Sequence, residues 1–265
     1  MNVGQEWKKA LEKEGYEYRL NENDSCQKLK RFSRIWKRVF RVARINASRL
    51  EDFSVFEFGC GGGKHLVPFA LNGFRCVGID VSPEVLGRAG QYIKEVSGLC
   101  GAELSIKLIY GDFLEYQAPG SLFDLVFHVG VIEHFLDDNE RQRALQKMFA
   151  LAKPGGYVVS MVPSGTHPIR QKMKKLGLGG YGIAEIDYTP EIMAREFKAC
   201  GSADYMALPH NVFGYLLIDD ARGLVKLGQK LLYYVVQIIP PRFLPYQFAV
   251  RHASALIGIA KKPLL

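Results

Sequence analysis

From Ser54 onward, short β-rich runs alternate with longer helical stretches, and that alternation leaves little choice of architecture. SVFEF (54–58) reads as a strand, breaks at Gly59-Cys60-Gly61-Gly62-Gly63, and leads into a helix closed by Asn72-Gly73. RCVGID (75–80) is a second strand. The helix after it is announced by Ser82 as N-cap, Pro83 at the first helical position and Glu84 facing the helix dipole. SIKLIY (105–110) ends at Gly111-Asp112, and LFDLVFHV (122–129) is apolar on both faces. Asp137 and Glu140 form a capping pair for a helix running to Ala152. YVVSMV (157–162) follows Lys153-Pro154-Gly155-Gly156 as the fifth strand. A helix near 190–199, a run at 204–208 and a last strand, ALIGIA (255–260), continue the series. Alternation at this spacing predicts a parallel sheet with helices on both faces, its strand C-termini gathered along one ligand-binding edge.

Composition narrows the class further. The chain has 265 residues, 48% of them hydrophobic, enough for one large α/β domain with a buried core and against wholesale disorder. Five widely spaced cysteines (Cys26, Cys60, Cys76, Cys100, Cys200) include no Cys-x-x-Cys pair, so reduced, mostly buried thiols are expected rather than a disulfide scaffold or zinc site. The first fifteen residues are charged and lack the apolar core of a signal peptide, which points to a cytoplasmic protein. The most apolar run, 224–239, is interrupted by Lys226, Gln229 and Lys230 and is too short to span a bilayer.

The residues that carry chemistry fall at strand ends. The 59–63 turn lets the backbone approach a ligand and offers amide donors at a helix N-terminus. Gly62 and Gly63 have a second reading, in which they only permit the turn. Asp80 stands 19 residues after Gly61, where a carboxylate can accept ribose hydroxyls, and Asp112 ends the third strand within reach of an adenine. Together these describe a pocket for an adenosine-containing ligand. The dinucleotide fingerprint fails at Lys64, and no G-x-x-x-x-G-K-[ST] loop is present.

VFEFGCGGG, GIDVSPE, GDF (111–113), FDLVFHVGVIEHF and LAKPGGYVVSMVP, in this order, resemble the five motifs of class I S-adenosylmethionine-dependent methyltransferases. The likeness covers about 54–162 closely and the last strand loosely. It implies a Rossmann-like, doubly wound, mostly parallel seven-stranded sheet, with S-adenosyl-L-methionine as methyl donor and S-adenosyl-L-homocysteine as product. By resemblance, Glu57 would orient the methionine amino group, and Gly59, Cys60 and Gly61 would lie against the methionine part. Asp80 and Val81 would hold the ribose, Asp112 and Phe113 would flank the adenine, and His128 and Val129 would line the cofactor. Phe113 has the alternative of being core.

Methyl transfer from a sulfonium needs alignment and exclusion of water, and a base only where the acceptor must lose a proton. Glu133-His134, just after the fourth strand, is the candidate catalytic pair; capping the following turn is the structural alternative. Ubiquinone-biosynthesis O-methyltransferases carry a similar Glu-His with a further upstream Glu that can serve a metal. Here 128–131 lacks that carboxylate, so no metal is expected. The insertion at about 163–190 resembles caps of small-molecule enzymes and supplies His167, Arg170, Glu185 and Tyr188 as candidate acceptor residues, with solvated surface as the alternative for each. A second insertion spans about 211–247.

Of 35 Lys+Arg and 27 Asp+Glu, residues 1–50 hold 13 and 6, leaving 22 and 21 for residues 51–265. A basic amphipathic helical arm is therefore expected over 1–50, with nine Lys+Arg and no acid in 28–49. Three readings of it stand: a helix covering the cofactor from the sheet edge, an anionic-membrane contact shared with 224–239, or nucleic-acid contact, the last disfavoured. The expected activity is methylation of a small or lipid-like acceptor, with oxygen the favoured atom. The alternatives are an RNA or protein methyltransferase using the arm, or a non-catalytic cofactor-binding module.

Overall fold

A computed structural model describes residues 19–45, 52–117, 120, 122–176, 183–217, 222–239 and 243–264. Parts of the expected arm (1–18 and 46–50) and of both insertions lie outside the described residues. Seven strands form one sheet: β1 (Ser54–Phe58), β2 (Arg75–Asp80), β3 (Ile106–Tyr110), β4 (Phe123–Val129), β5 (Ala152–Pro163), β6 (Tyr205–Val212) and β7 (Ala253–Lys261). Their order is β3-β2-β1-β4-β5-β7-β6, parallel except for β7, which pairs antiparallel with both β5 and β6. The strand order reverses between β1 and β4, so their C-termini flank the crevice where such sheets bind ligands.

The helices are α1 (Cys26–Lys30), α2 (Arg34–Val42), α3 (Leu66–Leu71), α4 (Pro83–Cys100), α5 (Asp138–Leu151), α6 (Pro168–Lys175), α7 (Pro190–Ala199), α8 (Gly223–Ile238) and α9 (Tyr246–His252). Their starts follow the sequence signals. The Ser82 hydroxyl accepts the Val85 amide, with Pro83 in the first turn, and Asp137 Oδ1 accepts the Asn139 and Glu140 amides at 2.9 and 3.0 Å. Strand alternation divides the core in two: Val55, Leu125 and Phe127 face one cluster, and Phe56, Phe58 and Val126 face the other. The central strand β1 is buried throughout because helices cover both its faces. The fifth strand is longer than expected, with the 153–156 turn absorbed at a register shift opposite Phe123/Leu125.

The arm departs from the single helix expected. Ser33 accepts the Trp36 amide and starts a new helix, so the chain breaks at 31–33. Phe32, set in that break, packs edge-on against Phe40 and Phe69 with ring centroids 4.9 and 5.1 Å away. Trp36 lies 4.6 Å from the Phe127 ring and is buried, as are Val39 and Phe40. Each such side chain contributes about 1.5–3 kcal/mol of burial. The arm's apolar face is thus spent on the sheet domain, leaving Arg34, Lys37 and Arg41 in solvent. The expectation of five reduced thiols is corrected in part. Cys26 of α1 and Cys100 at the end of α4 form a disulfide across 74 residues, because the folded arm lies against α4 with the two Cα atoms 5.0 Å apart. Cys60, Cys76 and Cys200 are free thiols. Among the described residues no helix is long and apolar enough to cross a membrane.

Candidate active site

Parallel pairing of β1 with β2, Phe58 opposite Ile79, lets the glycine turn and Asp80 leave the sheet side by side. The Gly61 amide donates to Asp80 Oδ2 at 2.9 Å and the Ser82 amide to Oδ1 at 3.0 Å, which fixes the carboxylate at the sheet edge. Burial raises the Asp80 pKa, and these amides pull it back. Gly59 has φ +64°, and a Cβ there would lie 2.6 Å from Val131 Cγ2, so both conformation and space demand glycine. Gly63, at φ +73°, also serves the turn.

Beneath this turn Glu57 is buried, and its Oε2 has no hydrogen-bond partner among the described residues. Loss of water, reinforced by the Asp80 charge, holds its pKa well above the ordinary carboxyl value. An unpaired buried carboxyl is costly, and a cationic donor placed against it would remove that cost.

A second cluster adjoins the first at Val131. The 3-10 turn Ile132–His134 carries Glu133, which is 1% exposed, with Oε2 again unpartnered among the described residues. The insertion after β5 is laced onto this turn: the Ile186 amide donates to the Glu133 carbonyl at 2.8 Å, and His134 Nδ1 meets the Ala184 carbonyl at 2.9 Å. Arg170 of α6 pairs with the Glu185 carboxylate and donates to the Tyr215 hydroxyl at 3.3 Å. Burial raises the Glu133 carboxyl to about 8, with Glu185 adding repulsion and Arg170 relieving part of it.

A family model described as a methyltransferase domain matches residues 55–156. A ubiquinone biosynthesis O-methyltransferase of Caulobacter vibrioides is 30% identical over 155 residues, 51% of this chain and 60% of that protein. A SAM-dependent methyltransferase from Methanosarcina mazei shares the fold with TM-score 0.59 at 15% identity, over 88% of this chain and 99% of that one. Magnesium protoporphyrin IX methyltransferase from Synechocystis, with bound SAH, gives 0.55 at 15% identity, over 97% and 93%. Residues 55–156 thus match a methyltransferase domain, set in a fold shared with solved SAM-dependent methyltransferases. The chain spans less than two thirds of the length of the first curated relatives it matches.

The methyltransferase domain fits the expected cofactor at Glu57, whose orphaned oxygen suits an ammonium, and at the Gly59–Gly61 turn beside Asp80. Val81 and Val129 are half-buried at the ends of β2 and β4. Two of the expected cofactor residues, Phe113 and His128, are placed in the core instead. The Phe113 ring stacks on Phe58 with centroids 4.0 Å apart and is 1% exposed, so it belongs to the core rather than flanking an adenine. His128 is fully buried, with Nε2 2.7 Å from Ser160 Oγ, and burial lowers its pKa to about 3. It is a neutral core histidine, with Nδ1 unpartnered among the described residues. Asp112 is exposed and accepts the Leu114 amide at 2.8 Å, closing its own turn. The Cys60 thiol is buried, and burial first, then Glu57, raises its pKa, so it is no nucleophile.

Of the residues expected to serve catalysis or the acceptor, the structure gathers Glu133, His134, Arg170 and Glu185. His167 caps α6, its Nδ1 accepting the Ile169 amide at 3.2 Å, and its ring lies 4.6 Å from that of Tyr215. Burial lowers its pKa to about 4. Tyr188 is corrected: it is fully buried and donates to Glu196 Oε2 at 2.7 Å, within a structural network. Residues 128–131 carry no carboxylate, as read from the sequence, but one reaches Glu133-His134 from elsewhere in the chain. Glu185, from the insertion, brings a third ligand atom, and the three lie within 4.8 Å of one another, an arrangement that could hold a metal ion. Arg170 already neutralises Glu185, so an ion there would compete with its guanidinium. Sequence reasoning missed Tyr215, which enters from the insertion after β6 and bears no motif that could have marked it.

Proposed function

We propose that this chain transfers a methyl group from S-adenosyl-L-methionine to a hydroxyl oxygen of a small, lipid-like acceptor, with Glu133 as general base. The observation that carries this reading is the Glu133 carboxyl, buried, unpartnered on one oxygen and titrating near 8, adjacent through Val131 to the glycine turn. A base is most effective when its pKa lies near the working pH, and a hydroxyl acceptor must lose its proton whereas a thiolate need not. The name of the Caulobacter relative, an O-methyltransferase, supports oxygen as the acceptor atom.

When bound, the cofactor supplies an electrophilic methyl on a good leaving group. The chain's own residues do the rest. Glu57 would accept from the ammonium, Asp80 would accept ribose hydroxyls, and the turn amides would face the methionine part. Glu133 would take the acceptor proton. Arg170, held by Glu185 and Tyr215, would set the charge around Glu133 and lower its pKa toward neutrality. His134, tied to Ala184, would line the acceptor side.

The test is release of S-adenosylhomocysteine from S-adenosylmethionine with a long-chain phenol, a thiol and a short RNA as acceptors. Release with the phenol, rising as pH passes through about 8, is the expected outcome. Release with thiol or RNA but not with the phenol would contradict the reading.

A further inference from the structure

The helix α8 is built inside out. At 100° per residue, Leu224, Leu227, Leu231, Val235 and Ile238 share one face, with Val225, Leu232 and Tyr234 at its margins. All are exposed; Leu224 and Ile238 reach 86% and 81%. The opposite face, which docks on the protein, is the polar one. Tyr233 donates to Asn211 Oδ1 at 2.8 Å, Gln237 to the Val212 carbonyl at 2.9 Å and Lys226 to the Leu216 carbonyl at 3.1 Å. Val236 is the one buried residue of the helix. Burial alone would place these faces the other way round, so the outward apolar face calls for an apolar partner.

Charge identifies that partner. The last 45 residues hold seven Lys+Arg and no Asp or Glu, so residues 51–220 carry 15 against 21. The basicity is therefore not confined to the N-terminal arm, as the total over residues 51–265 had suggested. Lys230 flanks the apolar face, Arg222 precedes the helix, and both are exposed. Arg251 is exposed on α9, which shares a small cluster with α8 through Val236, Val212 and Ala249 and exposes Phe248 and Tyr246. An apolar face flanked by Arg222 and Lys230, on a helix too short to span, fits the interface of an anionic bilayer.

Topology adds a reason. β6 runs parallel to β1, so its C-terminus, where the α8 insertion begins, lies on the ligand-binding edge. α8 packs on the 3-10 turn Gly214–Leu217, whose Tyr215 receives the Arg170 hydrogen bond beside Glu133. We propose that α8, with α9, docks the chain on an anionic membrane surface with the acceptor side of the site turned toward the lipid. Membrane docking goes beyond the methyl-transfer reading; only the orientation of the acceptor side rests on that reading.

The experiment is co-sedimentation of the full chain with vesicles of equal phosphatidylcholine and phosphatidylglycerol, and with pure phosphatidylcholine. The expected result is pelleting with the anionic vesicles, weakened by high salt. Retention should fall at least about 10-fold in Leu227→Asp/Leu231→Asp and several-fold in Lys230→Glu, consistent with about 1 kcal/mol per surface cation. Both variants alter exposed positions, so unchanged unfolding midpoints and S-adenosylhomocysteine binding should accompany the loss. A wild-type chain that stays in the supernatant, or a double variant that pellets as well as wild type, overturns the proposal. So does a dimer in sedimentation velocity that the double variant dissolves without any vesicle binding, which would assign the face to a second copy.

Discussion

Glu133→Gln is expected to lower kcat about 10²- to 10⁴-fold with a hydroxyl acceptor while making the protein more stable at alkaline pH. The two effects have one cause. Burial raises the Glu133 carboxyl to about 8, so between its unfolded value near 4.5 and about 8 the unfolded chain has lost the proton that the folded chain retains. Stability contributed by this group is complete below pH 4.5 and is lost as pH rises through about 8. The neutral amide removes that loss. The variant should gain about 1–3 kcal/mol in denaturant unfolding at pH 8–9 and nothing at pH 4. Activity in the wild type should climb over the same pH range, and that limb should vanish in the variant. A variant that loses activity and also loses stability at pH 8 would make Glu133 a structural residue.

Arg141→Leu is expected to cost about 3–5 kcal/mol of stability. The guanidinium, 2% exposed, donates to Glu196 Oε1 at 2.6 Å and to the Phe135 carbonyl at 2.8 Å, and pairs with Asp138. Tyr188 donates to the other oxygen of Glu196, and its ring lies 5.8 Å from the guanidinium. One residue thus joins α5, α7, the segment after the Glu133 turn and the end of the insertion. Removing it leaves the Glu196 carboxylate buried, with the Tyr188 phenol as its remaining partner among the described residues. Arg141→Leu/Glu196→Leu should recover most of the loss, since two apolar groups leave no stranded charge. Denaturant midpoints of the two singles and the double test this. A single substitution that costs under about 1 kcal/mol would contradict it.

The sheet and its glycine edge were readable because their signals are local. Gly59 is dictated by a positive φ, Ser82 and Asp137 by the amides that follow them, and Asp80 by its place at a strand end. What escaped depends on distant partners. Ser33 is itself an N-cap signal for a second helix, but the inward turn of Phe32 among Phe40 and Phe69 depends on Phe69 of the sheet domain. Cys26 and Cys100 are joined by a docking that pairs residues 74 apart. Phe113, His128 and Tyr188 stand where chemistry was expected, yet Phe58, Ser160 and Glu196 draw them into the core. The Arg170–Glu185 pair was present as two separate candidates, and only folding of the insertion brought it against Glu133. Net charge misled most: a sum near zero over residues 51–265 concealed an acidic stretch followed by a purely basic one.

We propose that the ends of β1 and β2 form a cofactor site governed by Glu57 and Asp80. Titration calorimetry of the full chain with S-adenosylhomocysteine, set beside NAD, tests it most directly. One molecule bound per chain, affinity reduced at least about 10-fold in Asp80→Asn as expected for a lost charge-assisted hydrogen bond, and no heat from NAD are the predicted results. Binding of NAD with no binding of S-adenosylhomocysteine would contradict it.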